Sequence, residues 1–172
     1  MKLIPNKIPK SVYALIGEFI VQFNVLDFKF KHFLSSFIED EMIGYLIASN
    51  QSFEFTKKRV NSIYKQLVED EKLKERWINL QQEIKDMSDV RNDFAHSIID
   101  FDNVSKSQFF LTRYSENQVL KFSSRQISYT LEDVKNNISR IRKLNTKIGY
   151  LFHSTFRKYN DVVYYDGTGT IF

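Results

Sequence analysis

A chain of 172 residues with an ordinary apolar share is long enough to bury a sizeable core and short enough to be one domain. Without cysteine it has no disulfide, no thiol catalysis and no Cys-ligated zinc, a composition that fits a reducing compartment. The net charge of +4 is unevenly spread. Residues 104–160 hold eleven Lys and Arg against three Asp and Glu, whereas residues 1–103 hold fourteen against sixteen. The C-terminal third is therefore either a phosphate-attracting surface or a solvated basic helix face.

The opening MKLIPNKIPKS is not a signal peptide. Glu18, Gln22, Asn24 and Asp27 interrupt the apolar run behind it, so no membrane span is predicted and a cytoplasmic address is the default. Residues 9–39 read as one long helix, with Leu15, Ile16, Phe19, Phe23, Leu26, Phe30, Phe33 and Phe37 at three- and four-residue spacing and Pro9 in the first turn. EMIGYLIAS, from Glu41, reads as a short second helix or a continuation bent at Gly44. A third helix in residues 50–70 turns Val60, Ile63, Tyr64 and Leu67 inward. A fourth, in residues 71–100, carries the stripe Trp77, Leu80, Ile84, Met87, Phe94 and Ile98.

After Asp102 two short runs rich in aromatic and branched residues flank SENQ and predict a β-hairpin at about 107–125. Thr130 followed by Asp133 has the form of a helix start. The last long helix carries Val134, Ile138, Ile141, Ile148, Phe152 and Tyr159 on one stripe, and a flexible tail is expected at about 161–172. The predicted fold class is mainly α: a bundle of about four to five helices with one inserted β-hairpin, in a single domain.

One stretch of the fourth helix breaks its own pattern. On a helical wheel Arg91 falls in the middle of the apolar cluster Leu80, Ile84, Met87, Phe94 and Ile98. An arginine there must meet a carboxylate, a phosphate or water, because leaving it unpaired costs several kcal/mol. Asn92 and His96, four apart, stack on one flank, and the arginine stem can carry its guanidinium toward them. These residue types suit RNA cleavage without a metal. An imidazole exchanges protons near neutral pH, a guanidinium grips a phosphate through two parallel bonds, and an amide orients either. The structural alternative pairs Arg91 with Asp27 or Glu18 of the first helix and leaves His96 on the surface.

RNDFAH, Arg91 to His96, resembles the R-x(4–6)-H signature of the HEPN superfamily, including the polar residue that often follows the arginine. The resemblance extends in pattern over about residues 9–100 and 130–159, and its specific part is the six-residue motif. It implies a small helical bundle and a metal-independent endoribonuclease of toxin–antitoxin or antiviral defence systems. In that family two motifs meet across a homodimer. By carry-over His96 is the general acid–base, Arg91 the phosphate clamp and Asn92 the positioner. The internal 2′-OH as nucleophile implies a 2′,3′-cyclic phosphate product. The chain departs from the toxins silenced by a nucleotidyltransferase, which usually carry a tyrosine two residues after the histidine, where this chain has Ile98. A non-catalytic HEPN module that binds RNA or nucleotide, or a protein partner, is the alternative function.

Lys135 and Arg142 share a flank of the last helix and are the expected RNA contacts. The expected partners are RNA, a second copy and an antitoxin or defence-system protein, with no membrane. His32 and His153 read as packing or surface residues, and three histidines on separate elements predict no metal site and no cofactor. Tyr114 and Phe122 on the hairpin are either core or base-stacking residues.

Overall fold

The computed structural model describes residues 8–38, 40–101, 108–117 and 121–163, with only the backbone for 41, 101, 114–117, 121–124 and 160–163. In chain order the elements are α1 (Lys10–Ser35), α2 (Glu41–Ser49), α3 (Phe53–Gln66), α4 (Glu71–His96), β1 (Ile98–Phe101), β2 (Gln108–Asn117), β3 (Lys121–Thr130) and α5 (Leu131–Val163). The class is mainly α with an inserted hairpin, as the periodicity predicts. The hairpin belongs to a three-stranded antiparallel sheet of order β1-β2-β3.

Several boundaries differ from the sequence expectation, each for a local reason. α1 ends at Ser35 rather than at 39. The Ser35 and Ser36 hydroxyls donate to the carbonyls of His32 and Phe33 at 2.8 Å, and the Phe37 and Ile38 amides turn back to Leu34 and Ser35. Such hydroxyl bonds compete with continued helix. Phe37 leaves the helix yet stays packed, its ring 5.0 Å from that of Phe33. Asp40 then caps α2 by accepting from the Ile43 amide at 3.0 Å, so α2 is a separate helix rather than a bent continuation. Gly44 lets it close on the end of α1, since a Cβ there would stand 2.8 Å from the Ser35 carbonyl oxygen.

Leu67 does not face in: it is the C-cap of α3 and 54% exposed, and Val68 is buried instead. The 3.6-residue period stops applying where the helix stops. Ile98 likewise leaves the α4 stripe. It is 63% exposed and opens β1, paired opposite Thr112. β3 runs to Thr130, past the expected hairpin end at 125. α5 continues through Val163, and the rest of the expected tail lies outside the described residues, as do the side chains of Tyr114 and Phe122.

The start of α5 is a reciprocal cap. Asp133 Oδ2 accepts from the Thr130 amide at 2.8 Å and its hydroxyl at 2.7 Å, and the Asp133 amide donates to Thr130 Oγ1 at 3.0 Å. The Thr130 bonds hold the Asp133 carboxyl below the usual carboxylate range. A depressed folded value means that this contribution is present above the unfolded value and is lost as pH falls through the folded one. Thr130→Ala is expected to cost about 1 kcal/mol at neutral pH. In urea titrations the gap to the wild type should narrow in acid; a gap that persists unchanged below the carboxylate range contradicts the assignment.

The chain divides into two packing units, residues 1–23 with 83–143 and residues 24–82 with 144–172. In the first, Val12, Ile16, Phe19 and Phe23 of α1, Ile84, Met87 and Phe94 of α4, Phe109 and Leu111 of β2, and Val134, Ile138 and Ile141 of α5 are buried. In the second the core is aromatic. Phe33 and Phe152 stack at 4.1 Å, Tyr64 and Trp77 at 4.7 Å, and Phe30 meets Phe152 edge-on at 5.1 Å. By length and composition α1 could cross a membrane, so its interrupting polar residues do not rule that out. In this structure seven of its apolar residues, from Val12 to Phe33, are buried in protein.

Candidate functional site

Arg91, Asn92 and His96 stand on the last turns of α4, in the first packing unit. The fold answers what an arginine does in an apolar stripe. Its guanidinium stands over the buried Phe23 ring, with Cζ 5.8 Å from the ring centre, rather than deep in the stripe beside an acid. One terminal guanidinium nitrogen, Nη1, donates to Asn92 Oδ1 at 3.1 Å and lies 3.5 Å from His96 Nε2. Arg91 and Asn92 are half-buried and His96 is exposed. Neither of the two acids expected as structural partners serves that role. Glu18 pairs with Arg142, and Asp27 pairs with Lys31 at 2.9 Å. Among the described residues the guanidinium thus has neutral partners only, the Phe23 ring, Asn92 and the exposed His96.

The sheet buttresses this end of α4. Tyr129 of β3 packs on Phe94 at 5.2 Å and on Phe109 at 6.0 Å, and its hydroxyl donates to Asp93 at 3.3 Å. Burial, with the Asp93 charge beside it, pushes the Tyr129 phenol up to about 12, so the hydroxyl stays a donor at physiological pH. Arg140 of α5 adds an ion pair to Asp86 at 3.0 Å. Spacing along the chain does not single out Tyr129, Asp93 or Phe23. Each acts through a neighbour distant in the chain, and only the repeated aromatic pattern of the hairpin hints at one of them.

Lys135 and Arg142 come together, with Lys143, around a hollow of about 300 Å³. Both are already engaged within the protein: Lys135 lies 3.9 Å from Glu132, and Arg142 pairs with Glu18. Arg113 and Arg125 differ. They face each other directly across β2 and β3, are exposed, and have no ion pair to an acid among the described residues. In the register they follow the pairs Phe109 with Tyr129 and Leu111 with Ile127 on the same sheet face. Like charges opposite one another are unfavourable unless an anion lies between them. The register that brings them together is a tertiary fact that spacing along the chain does not state.

His32 and His153 do not join the motif; both line a cleft in the second packing unit. Among the described residues no three His, Asp or Glu side chains gather where they could hold a metal ion. Comparison of the chain with protein-family models, with curated proteins and with solved structures gave no match.

Proposed function

We propose that this chain is a cytoplasmic, metal-independent endoribonuclease of the HEPN type, a toxin or antiviral defence effector that works as a homodimer. The observation carrying the reading is the cluster on α4. A guanidinium over the Phe23 ring bonds to Asn92 and approaches His96, with no carboxylate to neutralise it among the described residues. A scissile phosphate can take the place of those neutral contacts and receive two parallel N–H bonds. In the neutral tautomer with Nε2 unprotonated, His96 can accept from Arg91 and has the form a general base needs. It takes the proton of the ribose 2′-OH as that oxygen attacks phosphorus. The P–O5′ bond breaks, the 5′-oxygen receives that proton back from the His96 imidazolium, and the guanidinium offsets charge on the pentacoordinate phosphorus. The products are a 2′,3′-cyclic phosphate and a free 5′-hydroxyl. An antitoxin or defence-system partner would restrain such an activity.

The test is incubation of the protein with mixed RNA in EDTA. Cleavage that survives chelation and leaves cyclic phosphate ends supports the reading. Binding without cleavage points to a non-catalytic HEPN module, and neither to a bundle with a structural arginine. Because the composite cleft needs two motifs, sedimentation at micromolar concentration is expected to give a dimer. A monomer that still cleaves RNA would falsify the shared-cleft arrangement.

The arginine pair of the sheet and the basic hollow of α5 supply the phosphate contacts of this reading. Removing a phosphate contact lowers the salt dependence of binding by roughly 0.7 to 0.9 in log–log slope. Arg113→Ala with Arg125→Ala is expected to weaken RNA binding and to reduce that slope by roughly 1.5. Lys135→Glu with Arg142→Glu is expected to weaken it too, less steeply per charge because both residues spend part of their charge on Glu132 and Glu18. Salt-independent binding, or unchanged slopes in both pairs, returns these charges to a solvated face.

A further inference from the structure

A cleft of about 320 Å³ lies between α1 and α5 within the second packing unit. Four of its nine lining residues are phenylalanine, Phe28 and Phe156 among them, and the nitrogen-bearing side chains lining it are Lys29, His32 and His153. Two of the chain's three histidines, far apart in sequence, therefore face the same space. The His32 ring lies parallel to Phe28, 6.1 Å away and 5° from coplanar orientation.

Lys29 is the unusual member. Its ammonium donates to the Asn145 carbonyl at 2.6 Å, its one partner among the described residues, and no carboxylate among those residues lines the cleft. An ammonium has three protons to donate, so two donors are left for whatever enters. Gly149 makes the place for it: a Cβ there would come within 3.1 Å of Lys29 Nζ. Burial also pulls the ammonium below the usual lysine range, the mark of a charge partly removed from water without a counter-charge. Binding sites for small molecules have this character: an apolar, largely aromatic wall of a few hundred Å³ with a small number of placed polar groups.

We propose that this cleft binds a small aromatic carboxylate, its ring against the phenylalanine faces and its carboxylate on Lys29, with His32 and His153 as further hydrogen-bonding groups. One lysine ammonium matches one negative charge, which favours a carboxylate over the dianion of a phosphate monoester. The ring surface favours an aromatic over an aliphatic acid. None of the α4 motif residues lines this site, and the proposal does not depend on RNA cleavage.

The proposal is tested on the intact wild-type chain by backbone amide NMR titration with 3-phenylpropanoate, its neutral amide, hexanoate and phenyl phosphate. For a ligand of this size a Kd on the order of 1 mM or tighter is expected. Shifts should be centred on Phe28, His32, Gly149 and His153. The amide and hexanoate should bind at least about tenfold more weakly. Lys29→Met, which keeps the stem and removes the charge, should erase the preference for the acid over the amide. Gly149→Ala should weaken acid binding by crowding the ammonium. An amide that binds as well as the acid overturns the proposal without any variant being needed. So do hexanoate equal to the aromatic acid, phenyl phosphate binding more tightly than the carboxylate, and the absence of shifts. A folded Lys29→Met protein that keeps the preference overturns it as well.

Discussion

His96→Ala is expected to lower the rate of RNA cleavage by about a hundred- to ten-thousand-fold, the usual worth of a general acid–base. The fold should survive, because His96 is exposed at the end of α4 and its side-chain contact to Arg91 is a long one. RNA affinity should persist as well, since Arg91 and the sheet arginines remain. Single-turnover cleavage beside a thermal melt reads both quantities. Arg91→Lys completes the pair. It keeps the charge and loses the planar fork, so activity should fall at nearly unchanged stability. Arg91→Ala strands no acid among the described residues, where the arginine's partners are Asn92, His96 and the Phe23 ring. The several-kcal/mol penalty of breaking a buried ion pair is therefore not expected. A His96→Ala protein that cleaves like the wild type ends the nuclease reading, and an active but unstable Arg91→Lys protein makes the arginine structural.

Trp77→Ala is expected to cost roughly 3–5 kcal/mol, a large part of the stability of a domain this size. Trp77 is almost fully buried, stacks on Tyr64, tilts against Phe30 at 5.9 Å, and donates from Nε1 to Asn61 at 3.1 Å. Truncation removes the ring, leaves a cavity and orphans the Asn61 acceptor. Trp77→Phe keeps most of the apolar surface and loses the hydrogen bond, so its cost should be distinctly smaller. Urea denaturation of both variants measures the two losses. A Trp77→Ala loss under about 1 kcal/mol would mean that the cluster is not a packed core. The same cluster holds Tyr64, whose hydroxyl shares a 2.8 Å hydrogen bond with Thr155 and whose phenol burial pushes up out of its ordinary range.

Much of this protein is legible in its amino-acid sequence. Apolar residues at three- and four-residue spacing mark α1, α3, α4 and α5, because a helix repeats every 3.6 residues and buries one face. The stripe Val134, Ile138, Ile141, Ile148 and Phe152 is buried as periodicity predicts, and Thr130 with Asp133 announces the start of α5 through bonds only three residues apart. Arg91, Asn92 and His96 are likewise legible as a set, since α-helical geometry alone lets an arginine stem reach a neighbouring flank.

What the sequence does not state is what depends on partners far along the chain. IIDF at residues 98–101 extends the α4 pattern on a wheel, and only pairing with Phe109 to Thr112 makes it a strand. Leu67 and Ile98 sit where periodicity points inward, but the helix ends before them, and a period carries no information past its own element. Glu18 and Asp27 are chemically adequate partners for Arg91; packing gives them instead to Arg142 and Lys31. The facing of Arg113 and Arg125 rests on strand register, and the cleft holding Lys29, His32 and His153 on the packing of α1 and α5 within one unit. Local bonds and helix periodicity are written in neighbouring residues. Ion-pair choice, strand register and clefts are settled by which distant surfaces exclude water from each other, and that competition is decided only in the folded chain.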